Sequence, residues 1–310
     1  MMVNWLLTRR CNLACNLCKI RKKSINQNQE LAPGTIKSIA LYLQSSKVTT
    51  KFGDPFFILY GGEPFIRDDI EEILSIFQDI APDSFTIYHN GTMIDKVISI
   101  AKNLKLKRLT SSIDVADYDK SRNIRSNNGI KLLTMAQGKA YVEDAVATIT
   151  LDGKSDMTKL IPLVEELTRL NITANITTFD PPGGKWYDFS IKDNIKQYVV
   201  YKEDVKDIFD ELHDRSDLKI LRRDLLKVIP ELLPRNYRCN NPLNAITIDY
   251  DGSIRLCLRI GKTLTSYCDL LNDNITLDDL TADAKKIQNL VCNGCVWTCI
   301  MMAEITRSEP

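Results

Sequence analysis

The sequence predicts an α/β fold built on a parallel sheet, with a separate cysteine-rich segment at its C-terminal end. Three observations predict it. Between residues 3 and 181, short β-rich runs alternate with stretches of 3.6-residue apolar period, the pattern of consecutive βα units. The residues that carry chemistry cluster directly after those runs, where parallel α/β folds build their sites. The nine cysteines fall three near the start and six after residue 238, with none between.

The β-rich runs are 3–8, 55–60, 85–88, 108–113, 145–151 and 173–179. Between them, Ile36, Ile39, Ala40 and Leu43 make one helical stripe, and Ile70, Ile73, Leu74 and Phe77 another. From about 200 to 234 the period is again helical, with Val205, Ile208, Phe209 and Leu212 followed by Leu218, Leu221, Leu225 and Ile229. A pair of helices bridging to the C-terminal segment is expected there. In that segment the run 244–248, an Asp251-Gly252 turn and the run 254–257 read as a β-hairpin.

Composition excludes several classes. Hydrophobic residues are 44% and charged residues 26%, ordinary for a globular protein, and Lys+Arg 41 against Asp+Glu 40 leaves a net charge of +1. No charge bias toward nucleic acid or an anionic membrane follows. No apolar run reaches the length of a membrane span, and the run at 3–7 is too short for a signal-peptide core, so a cytoplasmic protein is expected. In that compartment the cysteines read as metal ligands rather than disulfides.

The strongest motif is Cys11-x3-Cys15-x2-Cys18. Three thiolates in one short loop can hold three irons of a four-iron cluster and leave the fourth without a protein ligand, open to chemistry. A zinc site would need a further Cys or His nearby, and His89 and His213 lie far along the chain. A second element, Tyr60-Gly61-Gly62-Glu63-Pro64, closes the second β-rich run, where glycines permit close backbone approach and Glu63 offers an acceptor to an ammonium group. His89-Asn90-Gly91-Thr92 ends the third run and Ser112-Ile113-Asp114 the fourth, with Arg122 beyond it. An Asn-Gly turn and a surface Asp114–Arg122 ion pair are the plainer readings of these last two.

With these residues the chain resembles the radical S-adenosylmethionine (SAM) enzymes. The resemblance implies a partial (β/α)6 TIM-type barrel over 1–185, in agreement with the six runs. It implies that Cys11, Cys15 and Cys18 hold a [4Fe-4S] cluster whose open iron binds SAM. Gly61, Gly62, Glu63, Pro64, Asn90, Ser112, Asp114 and Arg122 would line the SAM pocket. Leu17 stands where the family commonly has an aromatic residue beside the adenine. Two further stretches flank the expected mouth. Lys19, Arg21, Lys22 and Lys23 read as a solvated loop or a carboxylate partner, and Trp186 and Tyr187 as pocket lining or interdomain packing.

The second cysteine field, Cys239-x12-Gly252-x4-Cys257 followed by Cys268 and Cys292-x2-Cys295-x3-Cys299, resembles the SPASM and twitch extensions of those enzymes. That resemblance implies a helical bridge over 186–234 and a cysteine-rich module over 235–310 with at least one auxiliary [4Fe-4S] cluster. Cys239, Cys257, Cys292 and Cys295 are the expected ligands, Cys299 can replace one, and a structural zinc is the competing reading. Cys268, outside the pattern, is expected to be a hydrogen-atom donor. The implied activity is reductive cleavage of SAM to a 5'-deoxyadenosyl radical that takes a hydrogen atom from a peptide or protein, with a flavodoxin or ferredoxin as electron donor. A small-molecule dehydrogenase or epimerase and a non-catalytic metal-binding protein are the alternatives. The cysteine motif begins at residue 11, so no leader-recognition domain is expected ahead of it.

Overall fold

The computed structural model describes residues 1–15, 18, 29–115, 120–178, 199–233, 245–256, 263–272 and 274–291. Six parallel strands run in chain order. They are β1 (Met2–Thr8), β2 (Phe56–Gly61), β3 (Phe85–His89), β4 (Leu106–Ile113), β5 (Val142–Leu151) and β6 (Thr173–Thr178), each hydrogen-bonded to the next. Helices α1 (Pro33–Gln44), α2 (Ser46–Phe52), α3 (Ile70–Ile80), α4 (Ile94–Leu104), α5 (Lys120–Gly138) and α6 (Leu160–Arg169) fill the crossovers.

The outer face of the sheet is apolar and covered by these helices. Ile36, Ile39, Ala40 and Leu43 of α1 and Ile70, Ile73, Leu74 and Phe77 of α3 are all buried, as their spacing predicts. Phe77 packs edge-on against Trp5 of β1 and Phe57 of β2, with ring centroids at 5.8 and 5.1 Å. Such aromatic contacts stabilise beyond the area they bury.

The inner face is different. A fully covered parallel sheet is normally apolar on both sides. Here several of the alternate positions are polar: Thr86 and Thr110 share a hydrogen bond at 2.7 Å, and Thr148 bonds both Tyr88 and Asn175 at 3.2 Å. Buried Asn4 of β1 continues this lining. Buried polar side chains on a parallel sheet are costly unless they serve a ligand or each other.

β4 and β5 begin earlier than the sequence suggests, at Leu106 and Val142, which pair with each other, and Arg108 and Asp144 then pair across the two strands at 2.8 Å and carry charge within the ladder. The C-terminal hairpin also does more than expected. Strand β7 (Ala245–Ile248) pairs with β8 (Ser253–Arg255) through a turn in which Gly252 takes φ 83°, as predicted. Yet β7 also lies parallel to β1, with Met2 opposite Ala245 and Trp5 opposite Ile248. Among the described residues the sheet therefore has nine strands, ending in β8 and β9 (Thr263–Ser266), followed by α9 (Tyr267–Leu271) and α10 (Leu277–Val291).

The predicted helical bridge needs one correction. Helices α7 (Lys202–Asp214) and α8 (Leu225–Leu232) are present, but Leu218 and Leu221 precede α8 rather than share its face. Instead Ala174 of β6 donates to Lys219 O and accepts from Leu221 N, both at 2.8 Å. An edge strand presents unpaired backbone groups, and this segment satisfies part of that edge.

One buried charge network ties β4, α5 and β5. Arg122 donates to Asp114 at 2.6 Å and also to Asp152, and Arg125 reaches Asp114 as well. The Asp114 and Asp152 side chains are almost wholly buried, so this is not the surface ion pair of the plainer reading. Removing one partner of such a network strands the others without water. Arg122→Ala should cost about 3–5 kcal/mol of stability in chemical denaturation. A loss below about 1 kcal/mol would show that the network is not a structural fastener.

Candidate SAM and iron-sulfur site

The first strand delivers the cysteines to the C-terminal edge of the sheet. Thr8 ends β1, and Cys11, Cys15 and Cys18, each half-buried, follow within the loop that leads to α1. Leu13 N donates to Cys11 Sγ at 3.5 Å, Asn90 Nδ2 approaches the same sulfur at 3.7 Å, and Cys18 N bonds Cys15 O at 3.1 Å. Burial pushes the Cys11 thiol pKa up, with Cys18 and Glu63 adding to it, against the hydrogen bonds from Leu13 and Asn90. Donors aimed at a sulfur are what a metal-bound thiolate requires of its surroundings.

Among the described residues no three His, Cys, Asp or Glu side chains form a preformed metal cage. The fit to a cluster rests on the chemistry of the donor set: three thiols in one loop, one of them already supplied with N–H donors.

The Gly-Gly-Glu-Pro element sits beside this loop for a definite reason. Gly62 N donates to Thr8 O at 2.8 Å and Glu63 N to Arg10 O at 2.7 Å, so β2 keeps pairing with the chain after β1 ends. A Cβ on Gly61 would lie 2.1 Å from Thr8 O, and one on Gly62 would lie 2.0 Å from Arg10 O. Both glycines serve close approach, as expected, but in the structure it is the neighbouring backbone that approaches. Pro64 then opens a single 3-10 turn, Pro64–Ile66.

Glu63 is buried, and both its oxygens are engaged. Oε1 accepts from Phe65 N at 3.0 Å and Oε2 from Asn90 N at 2.6 Å. Burial raises its pKa to about 7, against those two bonds and the attraction of Lys96. Each oxygen retains a second lone pair for a ligand donor.

Asn90 joins the two motifs. Its backbone N–H meets Glu63, and its side chain reaches Cys11, donates to Asn12 Oδ1 at 2.9 Å and accepts from Thr92 N at 3.0 Å. Asn12 closes the circuit by donating to Thr92 Oγ1 at 2.7 Å. His89, one residue earlier, accepts from Gly91 N through Nδ1 at 3.1 Å, which fixes the turn. Full burial drops the His89 pKa to about 3, so the imidazole stays neutral and serves as a brace.

Of the remaining predicted residues, half-buried Ser112 lies at the end of β4 on the inner face, while Asp114 and Arg122 are occupied by the buried network beside it. Cys268 lies exposed at the start of α9. Cys239, Cys257, Cys292, Cys295 and Cys299 lie outside the described residues, as do Leu17, the 19–23 basic run and Trp186 and Tyr187.

Sequence reasoning missed the fasteners of the loop stem. Arg10 chelates Glu30 at 3.0 and 2.8 Å, Arg67 donates to Leu7 O and Leu31 O at 2.8 and 2.7 Å, and Arg9 meets Asp249. The adjacent arginines before Cys11 were the visible signal; their partners lie 20 to 240 residues away in sequence.

Comparison with known proteins agrees with this geometry. The radical SAM superfamily model matches residues 5–151, a little under half of the chain. A probable GTP 3',8-cyclase of Methanocaldococcus jannaschii is 24% identical over 293 residues, covering 92% of this chain and 89% of that protein. The Fe-coproporphyrin III synthase of Methanosarcina barkeri is 36% identical over 103 residues, 33% of this chain and 24% of that protein. Among solved structures, Streptococcus suis SuiB bound to S-adenosylmethionine superimposes with a TM-score of 0.67 at 16% identity, covering 91% of this chain and 67% of that one. That likeness shows a shared fold. The match lies over β1 to β5, the strands that carry the cysteine loop, Glu63 and Asn90, and it favours an enzyme of the radical SAM kind over a non-catalytic metal-binding protein.

Proposed function

We propose that this enzyme binds SAM between the Cys11, Cys15, Cys18 loop and the Glu63–Asn90 turn, and takes a hydrogen atom from a peptide or protein substrate at the polar inner face. The observation that carries the reading is the hydrogen-bond circuit from Cys11 through Asn90 to Glu63, which brings a thiol ligand and a buried carboxylate to one place. When bound, a [4Fe-4S] cluster with an open iron supplies one electron to the SAM sulfonium, releasing methionine and a 5'-deoxyadenosyl radical. Glu63 orients the methionine amino group through its remaining lone pairs. Ser112 contributes a hydroxyl from the end of β4. Asp114 and Arg122, held by each other and by Asp152, would flank the SAM ribose and carboxylate.

The six parallel strands are read as a partial TIM-type barrel over 1–185, the bridge as 186–234 and the remainder as a SPASM or twitch module. Its cysteines Cys239, Cys257, Cys292, Cys295 and Cys299 would hold an auxiliary [4Fe-4S] cluster. A flavodoxin or ferredoxin would supply electrons in the cytoplasm, and among the described residues no helix is long and apolar enough to cross a membrane. Cys268 is retained as a hydrogen-atom donor, a role refuted if Cys268→Ala leaves product and turnover unchanged.

A peptide substrate is supported by the fold shared with SuiB, one of whose structures holds the precursor peptide SuiA, and by the hydroxyl and amide groups of Thr86, Thr110, Thr148 and Asn175 on the inner face. A second reading, a nucleotide, is favoured by the probable GTP 3',8-cyclase that aligns over nearly the whole chain. Incubation with GTP separates them, because a cyclised product would decide for the nucleotide.

Two outcomes test the core of the proposal. Anaerobically reconstituted protein with SAM and a strong reductant should release 5'-deoxyadenosine, and Cys15→Ala should abolish it; equal release from the variant would refute the assignment. SAM affinity should be about tenfold weaker at pH 6 than at pH 8, because Glu63 takes up a proton below pH 7 and loses part of its attraction for the amino group. Glu63→Gln should bind weakly with no such slope. A wild-type profile that is flat across this range would remove Glu63 from the amino-group contact.

A further inference from the structure

Asp249 stands where the C-terminal hairpin meets the cysteine loop. It is completely buried at the end of β7, and it carries two guanidinium groups. Arg9 Nε donates to Oδ1 at 3.2 Å and Arg9 Nη2 to Oδ2, while Arg255 of β8 lies 2.9 Å from Oδ2. The carboxylate also accepts its neighbour's backbone N–H, Tyr250 N to Oδ1 at 2.9 Å.

The next residue grips the other side of the same stem. Tyr250 O accepts from Leu31 N at 2.9 Å, and the Arg9 guanidinium stacks 5.1 Å from the Tyr250 ring centroid. Arg9 lies two residues before Cys11, and Leu31 lies where the chain returns from the loop toward α1. Residues 249 and 250 of the hairpin therefore hold both ends of the loop that carries Cys11, Cys15 and Cys18. The pairing of β7 with β1 uses backbone groups and does not depend on this carboxylate. The clamp is thus separable from the sheet.

We propose that Asp249 is a positioning residue that clamps the stem of the three-cysteine loop to the C-terminal hairpin, so that displacement of the hairpin is transmitted to the SAM site. A buried carboxylate shared by two arginines has no equivalent substitute. An amide carries no charge and cannot accept from both guanidiniums at full strength, so its replacement releases the stem while leaving the strands paired. The role as a positioner of SAM chemistry rests on the function proposed above. The clamp itself does not, and can be read on protein without metal.

The test compares Asp249→Asn and Arg9→Gln, which break the contact from opposite sides, with Asp278→Asn, which removes a carboxylate from an exposed pair with Lys51. In metal-free protein, amide hydrogen exchange at residues 6–12 and 30–33 should rise at least tenfold in both clamp variants, with β3 to β6 unchanged and no response in the control. In reconstituted protein, the SAM dissociation constant should rise about tenfold in each, and the double variant should be no worse than the singles. Unchanged exchange at the stem, or a rise spread evenly over β3 to β6, would overturn the clamp. Stem exchange that rises while SAM affinity and the cluster's spectroscopic response to SAM stay at wild-type values would overturn the positioning role. Arg9→Gln keeps the carboxylate and its bond to Arg255, so it remains informative if Asp249→Asn fails to fold.

Discussion

The site depends on the continuation of strand pairing past the end of β1. Gly62 and Glu63 donate to Thr8 and Arg10, and this fixes the start of the cysteine loop against the end of β2. No side chain larger than hydrogen fits at Gly61 or Gly62, since a Cβ would overlap a backbone oxygen at either position. The register in turn places the Glu63 carboxylate against Asn90, and Asn90 against Cys11. The cysteine loop, a buried acid and the third-strand turn are thus brought together beside two backbone hydrogen bonds.

Charge is used in this fold as a fastener. Arg122 with Asp114 and Asp152, Arg9 with Asp249, Arg10 with Glu30 and Arg67 with Asp69 all sit at or near the C-terminal edge of the strands. Surface pairs contribute little, but these are largely or partly buried, and those of Arg9, Arg10 and Arg122 with Asp249, Glu30 and Asp152 join segments 20 or more residues apart. They hold loops that lack the apolar contacts of the outer helices. Interior dielectric strengthens each pair and makes its disruption correspondingly costly.

The strands and the outer core were legible because parallel strands and their covering helices write period 2 and period 3.6 into the chain. The spacing of Ile70, Ile73, Leu74 and Phe77 alone assigns them to the buried face of α3. The Cys-x3-Cys-x2-Cys and Gly-Gly-Glu-Pro motifs were legible because each needs specific residue types at fixed local spacing. Asp249 and Glu30 were not, since a carboxylate that pairs across 240 or 20 residues leaves no local pattern. The same reason hid the pairing of β7 with β1: the hairpin's turn chemistry is local, but its sheet partner lies at the opposite end of the chain. Leu218 and Leu221 misled because an extended segment against β6 can carry the same apolar spacing as a helix.

The most direct test of the account is the electron paramagnetic resonance of the reduced, reconstituted protein with and without SAM. If the Cys11, Cys15, Cys18 loop holds a cluster with an open iron beside Glu63, SAM will alter the signal. The alteration will persist in Cys257→Ala and vanish in Cys15→Ala. A signal that SAM leaves unchanged, or whose change survives loss of Cys15, would contradict the assignment of this loop as the place where SAM is bound.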